Sequence, residues 1–200
     1  MHVRAPAILL AVRSHGETAS IARLLTEEFG VVACYVAGGR GRRLRPVTIP
    51  GNLVDLQLSA RSDSQLPFAK LELLASRGPW LGEPLAAAAI GWATALTATA
   101  LPERNPYRAL YQALAALLDA ICHAPSARGW ARALLGYETL LLRELGYGGS
   151  PPQAADDLPA VLAALDRLAG PLDHYLLADR RGDVMAARAR LRDLLGRMDS

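Results

Sequence analysis

The chain has 200 residues, enough for one large or two small domains with a sound core, and its 52% hydrophobic content rests heavily on Ala and Leu, which favours helices. Its net charge of +3 is uneven, because residues 1–80 hold ten Lys/Arg against six Asp/Glu and the remainder is slightly acidic. This imbalance predicts a polyanionic partner for the first part. Cys34 and Cys122 are far apart with no CxxC spacing, which indicates a reducing compartment and argues against a structural zinc site.

Two apolar stretches raise the question of a leader peptide or a membrane segment. Residues 5–12 contain Pro6 and end at Arg13, so this run is too short for a signal peptide, lacks a cleavage pattern and is typical of a strand. Residues 85–101 carry no charge but consist mostly of Ala, Thr and Gly, which favours a buried helix over a membrane span. We therefore expect a cytoplasmic protein that does not enter a membrane.

Short strands separated by glycine-containing turns are predicted across the first 75 residues. Apolar, β-branched or alternating runs occupy residues 7–14, 31–36, 53–59 and 68–74. Residues 18–28 are ambiguous, because their Ala, Leu and Glu favour a helix whereas Ile21, Arg23 and Leu25 would share one face of a strand. The sequence therefore predicts four or five strands.

A small closed barrel is the economical way to hide the edges of so many short strands. The five-stranded OB-fold is a barrel of this size that binds nucleic acids. Residues 76–84, with two prolines and two glycines, indicate a junction between domains. We therefore predict an N-terminal all-β OB-fold barrel over residues 1–78, followed by an all-α helical bundle domain over residues 79–200.

Helix signals fill the second part of the chain. Pro84 suits the first turn of a helix that runs to about residue 101, and Asn105 followed by Pro106 predicts the cap and first position of the next helix. Asp157 is expected to cap a later helix, which Gly170-Pro171 should kink or break. The helix after Asn105 is predicted to run to about residue 123 and the helix after Asp157 to about residue 177, and two further helices are predicted at about residues 130–145 and 184–198.

A glycine-rich loop after residue 36 carries the strongest functional signal. Arg40, Arg42, Arg43 and Arg45 lie within six positions, interleaved with glycines. Their mutual repulsion should keep the loop solvated and mobile until an anion binds. Arginine forks suit phosphate oxygens, and glycines let the backbone approach a nucleic-acid strand closely. The alternative is a solvated charge run on a surface hairpin.

Flanking residues extend this candidate DNA-binding site. Arg13, Arg61 and Lys70 fall on predicted strands or turns of the same barrel. Tyr35 and Phe68 are the aromatic residues near them; they could stack on bases, although core packing is the interpretation that the sequence favours. Binding through these groups would be mainly electrostatic and independent of base sequence.

Enzymatic and metal chemistry find no support in the sequence. Gly39-Arg40-Gly41 does not continue into a nucleotide-phosphate loop, and the four histidines show no ligand spacing. No nucleophile lies in a pattern with a base. We therefore predict a protein without catalytic residues, metal ligands or cofactors.

Several segments together resemble the bacterial recombination mediator and DNA-repair protein RecO family. The resemblance lies in the opening block with its Gly-Glu turn, the strand ending at Thr26-Glu27, the strand that enters the basic loop, residues 57–72, the Leu-Pro-Glu segment of residues 101–121, and the helix ending in Leu145-Gly146-Tyr147. It covers most of the chain in the family's order. It implies that residues 18–28 form a strand, against their composition.

One departure from the family pattern concerns metal binding. Many members carry a cysteine-bearing insertion, in some cases zinc-binding, after the Leu-Gly-Tyr signature. Here Gly148 runs through Ser150 and two prolines almost directly into Asp157. The resemblance therefore implies that this lobe is missing, which puts in doubt any partner surface that it provides in relatives.

The resemblance implies a non-enzymatic mediator of DNA repair and homologous recombination on the bacterial nucleoid. Such a protein would bind single- and double-stranded DNA, anneal complementary strands, and act with RecR to load RecA onto DNA coated by single-stranded-DNA-binding protein. Two alternatives remain open: a helical protein-interaction adaptor in which the basic loop only steers, and an OB-fold RNA-binding module.

Overall fold

The computed structural model describes residues 2–60, 65–148, 157–178 and 184–198. Five strands come first: His2–His15 (β1), Ala19–Thr26 (β2), Gly30–Val36 (β3), Leu53–Ser59 (β4) and Phe68–Ala75 (β5). Five α-helices follow: Pro84–Ala100 (α1), Arg108–His123 (α2), Ala127–Glu144 (α3), Leu158–Pro171 (α4) and Val184–Gly196 (α5). The predicted order of an all-β part before an all-α part is confirmed.

The chain divides into two compact units. The first, the β unit, combines Met1–Gly82 with Leu101–Tyr111, and the second, the helical unit, combines Glu83–Ala100 with Gln112–Ser200. The single boundary predicted between residues 78 and 79 does not capture this division, because the segment after α1 belongs to the β unit. The cause is a set of contacts of that segment with β2 and β3, described below.

The five strands close in the order β1-β2-β3-β5-β4, with β1 joined to β4. All pairings are antiparallel except the short parallel contact of β3 with β5. The long strand β1 pairs with β2 through Ala7–His15 and with β4 through His2–Ile8. A bulge between Leu9 and Ala11 bends β1 across its two partners. This sheet is consistent with an OB-like domain.

Alternate side chains of the five strands point into the barrel and fill its interior. Its core consists of Ala7, Leu9, Ala22, Leu24, Val32, Cys34, Val36, Val54, Leu56, Leu58 and Leu71, each at most 6% exposed. The intervening residues of β2 and β3 therefore point outward. Burial raises the pKa of the Cys34 thiol to about 12, since the uncharged thiol is favoured among these apolar neighbours.

The ambiguous stretch of residues 18–28 is a strand over Ala19–Thr26, as the family resemblance implied. Its outward side chains pair with those of β3, Ile21 opposite Tyr35 and Arg23 opposite Ala33. Local helix propensity is weak compared with two ladders of backbone hydrogen bonds and a buried face. Tertiary pairing therefore decides this element.

The segment Leu101–Tyr111 lies against the outside of the barrel. The Arg104 N–H donates to the Val31 carbonyl at 2.8 Å, and Glu103 pairs with Val31 as a parallel bridge. Gly30 has a φ of +67°, and a Cβ atom there would lie 2.1 Å from the Asn105 carbonyl oxygen. The close approach therefore requires glycine at position 30.

The predicted cap of α2 is wrong. This helix begins at Arg108, two residues after Pro106, and the Asn105 side-chain amide donates to the Tyr107 hydroxyl at 2.9 Å. The reason is tertiary: the backbone of Asn105 is held against Gly30 of the β unit and is not free to start a helix.

The helical unit contains a buried ion pair. The Arg188 guanidinium donates from Nε and Nη2 to both Glu138 carboxylate oxygens, at 3.0 and 2.7 Å, and from Nη2 to the Leu165 carbonyl at 2.6 Å. The Trp92 indole N–H donates to the same carboxylate at 2.8 Å. Side chains of α1, α3 and α5 and the backbone of α4 therefore meet in one network.

Two sequence predictions for α4 can be compared with the structure. The Asp157 carboxylate accepts a hydrogen bond from the Ala160 N–H at 2.8 Å, which confirms the predicted cap. At Gly170-Pro171 the helix does not stop; it continues as a π-helical segment over Leu172–Leu177. Proline lacks the N–H of a regular turn, so a change of helical register at this point is expected. Within the described part of the chain, no helix is long and apolar enough to cross a membrane.

Candidate nucleic-acid interface

The arginine-bearing loop, residues 37–52 between β3 and β4, is folded into consecutive turns. Backbone N–H groups of Leu44 and Arg45 donate to the Gly41 carbonyl, and those of Val47 and Thr48 donate to the Leu44 carbonyl, all at 2.8–3.1 Å. The Thr48 hydroxyl also donates to the Leu44 carbonyl, at 3.0 Å. Backbone hydrogen bonds therefore run through this loop, and its mobility before an anion binds stays a prediction.

Apolar contacts and one buried amide anchor this loop. Leu44 and Val47 pack against the barrel core. The Asn52 side chain, which is fully buried, donates to the carbonyls of Pro46 and Val47 at 2.9 and 3.0 Å and accepts from the Arg77 N–H at 2.7 Å. Glycine and arginine dominate the loop's composition, so the anchoring effect of these three side chains was not anticipated.

The four loop arginines differ in their surroundings. The Arg40 guanidinium donates to the carbonyls of Gly16 and Glu17, at 3.2 and 3.1 Å, and its backbone N–H donates to the Thr18 carbonyl. Arg40 therefore ties the loop to the turn between β1 and β2. Arg42, Arg43 and Arg45 are exposed and make no side-chain hydrogen bond or ion pair within the described ranges. These three are available to an external anion.

Aromatic rings lie on the outer face of the same end of the barrel. Tyr35 and Phe68 meet edge to face with ring centroids 5.1 Å apart, and His15 contacts Tyr35 at 5.9 Å. Phe68 is 59% exposed, so the core role that the sequence favoured for it is wrong. The cause is strand parity: in β5 the inward position is taken by Leu71, which leaves Phe68 on the outer face.

The flanking basic residues occupy different places. Register aligns Arg13 of β1 with Ile21, Ile21 with Tyr35, and Tyr35 with Phe68, in one row across four strands. Lys70 is exposed two residues further along β5, opposite Gln57 of β4. Arg13 is therefore separated from Tyr35 by Ile21 in this row, and Lys70 is the next outward residue after Phe68 on β5. Arg61 lies outside the described residues.

A groove of about 280 Å³ runs along the outer face of β1, β2 and β3. Its apolar part includes Ala11, Ile21 and Ala33, and its charged part consists of Arg13, Arg23 and Glu103. The Arg23 Nη1 atom donates to Glu103 Oε1 at 2.7 Å. Arg23 was expected to share one strand face with Ile21 and Leu25 and was not among the predicted site residues, and nothing in the sequence connects it with Glu103, 80 positions away.

Acidic, histidine and cysteine side chains are the usual metal ligands of proteins. Within residues 2–60, 65–148, 157–178 and 184–198, no group of three or more of these side chains could hold a metal ion. The place where the cysteine-bearing insertion was expected to be missing includes residues 149–156, which lie outside the described residues.

Family models match two consecutive parts of the chain. The sequence model of a family described as "Recombination protein O N terminal" matches residues 1–77, and that of "Recombination protein O C terminal" matches residues 81–150. The DNA repair protein RecO of Rhodospirillum centenum is 44% identical over 143 residues, which cover 71% of this chain and 56% of that protein. The match to the protein of the same name in Ruegeria sp. covers 61% of its length. The chain therefore spans less than two thirds of these two relatives.

Other relatives are covered more fully. The DNA repair protein RecO of Phenylobacterium zucineum is 38% identical over 184 residues, which cover 86% of this chain and 74% of that protein. That of Caulobacter vibrioides strain NA1000 is 36% identical over 203 residues, covering 90% and 82%. Both family models and these long matches agree in chain order with the β unit followed by helices. The chain belongs to the RecO family of DNA repair proteins.

Proposed function

We propose that this chain is a DNA-binding mediator of repair and recombination that acts without catalysing a reaction. The observation that carries the proposal is the loop of residues 37–52, where Arg42, Arg43 and Arg45 are exposed on a folded and anchored backbone. A fixed backbone presents these charges without the ordering cost that a disordered loop would incur on binding. Phosphate oxygens are the matching partner for several adjacent guanidinium forks.

The outer face of the barrel supplies a second type of contact. Strands β2 and β3 form the usual ligand face of OB-folds, and here that face carries Tyr35, with Phe68 and Arg13 beside it. Bases of a single strand can stack on exposed aromatic rings irrespective of sequence, each contributing about 1–3 kcal/mol. Duplex DNA, whose bases are already stacked, would use the loop arginines alone. The proposal therefore includes single- and double-stranded DNA as ligands.

Strand annealing follows from the same charges. Two complementary strands repel each other through their phosphates, and arginines that neutralise both lower this repulsion. We propose, from membership of the RecO family, that the chain acts with RecR to load RecA onto DNA coated by single-stranded-DNA-binding protein. Because this DNA belongs to the bacterial chromosome, the proposal includes a location on the nucleoid.

The loop arginines provide the direct test. In an Arg42→Ala/Arg43→Ala/Arg45→Ala variant, losing three phosphate contacts should flatten the plot of log affinity against log salt by about 2 on single strands and about 2.7 on duplex. The annealing rate should fall in parallel. The barrel core and the Asn52 hydrogen bonds are untouched, so circular dichroism should show an unchanged fold.

A variant of equal charge change serves as the control. Arg128, Arg143 and Arg167 are exposed on helices of the second unit, and replacing all three with Ala removes the same charge far along the sequence from the loop. This control should keep nearly the wild-type salt slope. Equal slopes for the wild type and the loop variant would show that the loop is only a solvated charge run.

A protein-interaction adaptor is the second candidate function. The favouring observation is an exposed stack in the helical unit, where Tyr147 and Tyr175 lie with ring centroids 5.0 Å apart and planes 16° from parallel, each 48% exposed. Annealing by the purified chain would distinguish a mediator from an adaptor. Competition between RNA and DNA oligonucleotides would identify an RNA-binding module.

A further inference from the structure

Arg23, in the groove of the β unit, makes only one of the two hydrogen bonds that an arginine can make to a carboxylate. A single contact, from Nη1 to Glu103 Oε1 at 2.7 Å, joins the two side chains. The Nε atom of Arg23 is buried and has no hydrogen-bond partner within the described part of the chain. A guanidinium normally offers Nε and a terminal nitrogen together to one anion. Glu103 therefore leaves the Nε–H of Arg23 unsatisfied.

Three other arginine–carboxylate pairs in the same chain show the usual arrangement. Arg4 donates to Asp55 from Nε and Nη2, Arg188 donates to Glu138 from the same two atoms, and Arg192 does so to Asp166. In each of these three pairs the contact uses both nitrogens. The Arg23–Glu103 pair departs from this pattern, and it does so inside a groove.

Backbone contacts, not its side chain, hold Glu103 against β3. The bridge to Val31 and the hydrogen bond from the Arg104 N–H to the Val31 carbonyl fix residue 103 on β3 whatever its side chain does. The Glu103 side chain itself is 44% exposed, and that of Arg23 is 32% exposed. A pair with this exposure is weak, since solvent screens it. The carboxylate can therefore leave Arg23 while the segment stays docked.

We propose that Glu103 is a built-in competitor of DNA phosphate: its carboxylate is the counter-ion of Arg23 in the free protein, and a single strand that enters the groove takes its place. This inference rests on the proposed function. Glu103 accepts from Nη1 alone, whereas a phosphate that draws the guanidinium into the groove can accept from Nε and Nη2 together. Arg13 supplies a second positive charge along the same groove, and Ala11, Ile21 and Ala33 give a base an apolar wall.

The size of the groove selects the ligand. Its volume of about 280 Å³ is close to the lower limit of small-molecule pockets, about 300 Å³. This is room for one nucleotide of an unpaired strand. Duplex DNA keeps its bases inside the helix and would contact the exposed loop arginines without filling the groove. Glu103 therefore weakens single-strand binding selectively.

The principal test compares Glu103→Gln with Glu72→Gln, which removes the same charge from an exposed site on β5. Glu103→Gln should raise affinity for an oligothymidylate about 1.5- to 5-fold, the range of an exposed ion pair. Its salt slope should equal that of the wild type, because Arg23 contacts one phosphate in both proteins once the strand is bound. Duplex affinity should change no more than in Glu72→Gln. The gain should disappear when Arg23→Met is combined with Glu103→Gln.

Two results would overturn the inference. One is equal single-strand affinity of the Glu103→Gln and Glu72→Gln proteins; the other is a gain that persists in the Arg23→Met background. Should Glu103→Gln fail to fold, the wild-type protein still decides: the Arg23 Nε–H signal in a ¹⁵N spectrum, assigned with Arg23→Met, must shift with oligothymidylate and not with duplex. An unmoved signal rejects the proposal.

Failure of this inference differs from failure of the proposed function. If the wild type binds DNA and the loop variant binds it weakly while Glu103→Gln behaves like Glu72→Gln, only the competitor role is wrong. If the wild type and the loop variant bind equally or not at all, the proposed function itself is wrong.

Discussion

Arg188→Met should be among the most destabilising single substitutions in the helical unit. Arg188 is 6% exposed and Glu138 is fully buried, so the substitution leaves a carboxylate without its cation in an apolar interior. Burial already raises the pKa of Glu138, and the hydrogen bonds from Arg188 are the largest influence that opposes this rise. Methionine fills much of the arginine volume, so the loss is mainly electrostatic.

The magnitude follows from the contacts that remain. Breaking a buried ion pair by removing one partner costs about 3–5 kcal/mol. After the change, Glu138 keeps the Trp92 N–H and the Leu165 carbonyl loses its Arg188 donor. For a unit of this size the loss corresponds to a fall of about 10–25 °C in Tm.

Arg192→Met provides the control, because it removes an arginine from the same helix whose partner is in water. The side chains of Arg192 and Asp166 are 31% and 50% exposed, and such a pair contributes at most about 1 kcal/mol. Urea unfolding followed by far-UV circular dichroism gives both free energies. The double variant Glu138→Leu/Arg188→Met should be more stable than Arg188→Met, since no charge is then left buried.

If the free energies of unfolding of Arg188→Met and Arg192→Met agree within about 1 kcal/mol, the buried charge is not strongly destabilising. A second contrary result would be that the effects of Glu138→Leu and Arg188→Met on the free energy of unfolding simply add in the double variant. Additivity would show that the two side chains do not interact.

Two further predictions concern the β unit. Gly30→Ala should lower the free energy of unfolding by at least about 1–3 kcal/mol and expose the bond after Arg104 to trypsin, because the backbone has a φ of +67° and the added Cβ would meet Asn105. Gly38→Ala is the control: it has a φ of +66° but open space around the added Cβ, so the bond after Arg104 should stay protected. Equal cleavage of the two variants would contradict the packing argument. Burial raises the pKa of the Cys34 thiol from 9.0 to about 12 in the folded protein. The buried neutral thiol therefore contributes its full stabilisation below pH 9, and this contribution is lost as pH rises from 9 towards 12. Between pH 8 and pH 10 the wild type should therefore lose about 1.4 kcal/mol more than Cys34→Val in urea unfolding, whereas parallel losses would show that the thiol is not buried in solution.

The candidate site residues that the sequence indicated are those whose charge forms a local pattern. The loop arginines and Arg13 were chosen because charge in a glycine-rich stretch and at a strand end is visible in the sequence, and their role in DNA binding stays a prediction. Phe68 was misjudged, because the same alternation that buries Leu71 places Phe68 on the outer face of β5 with Lys70. Arg23 was expected to share one strand face with Ile21 and Leu25, but its pairing with Glu103 depends on tertiary contacts.

Alternating apolar residues, turn glycines and helix caps are local, so the sequence by itself determined four of the five barrel strands, the order of the two parts and the cap at Asp157. The uneven charge is likewise visible in the sequence, and it predicts a polyanionic partner for the first part. Only the tertiary structure decided that Arg40 binds the β1–β2 turn while Arg42, Arg43 and Arg45 stay exposed, and that Leu101–Tyr111 joins the β unit. These outcomes depend on contacts between residues far apart in sequence, such as Gly30 with Asn105 and Arg23 with Glu103, which no local pattern encodes.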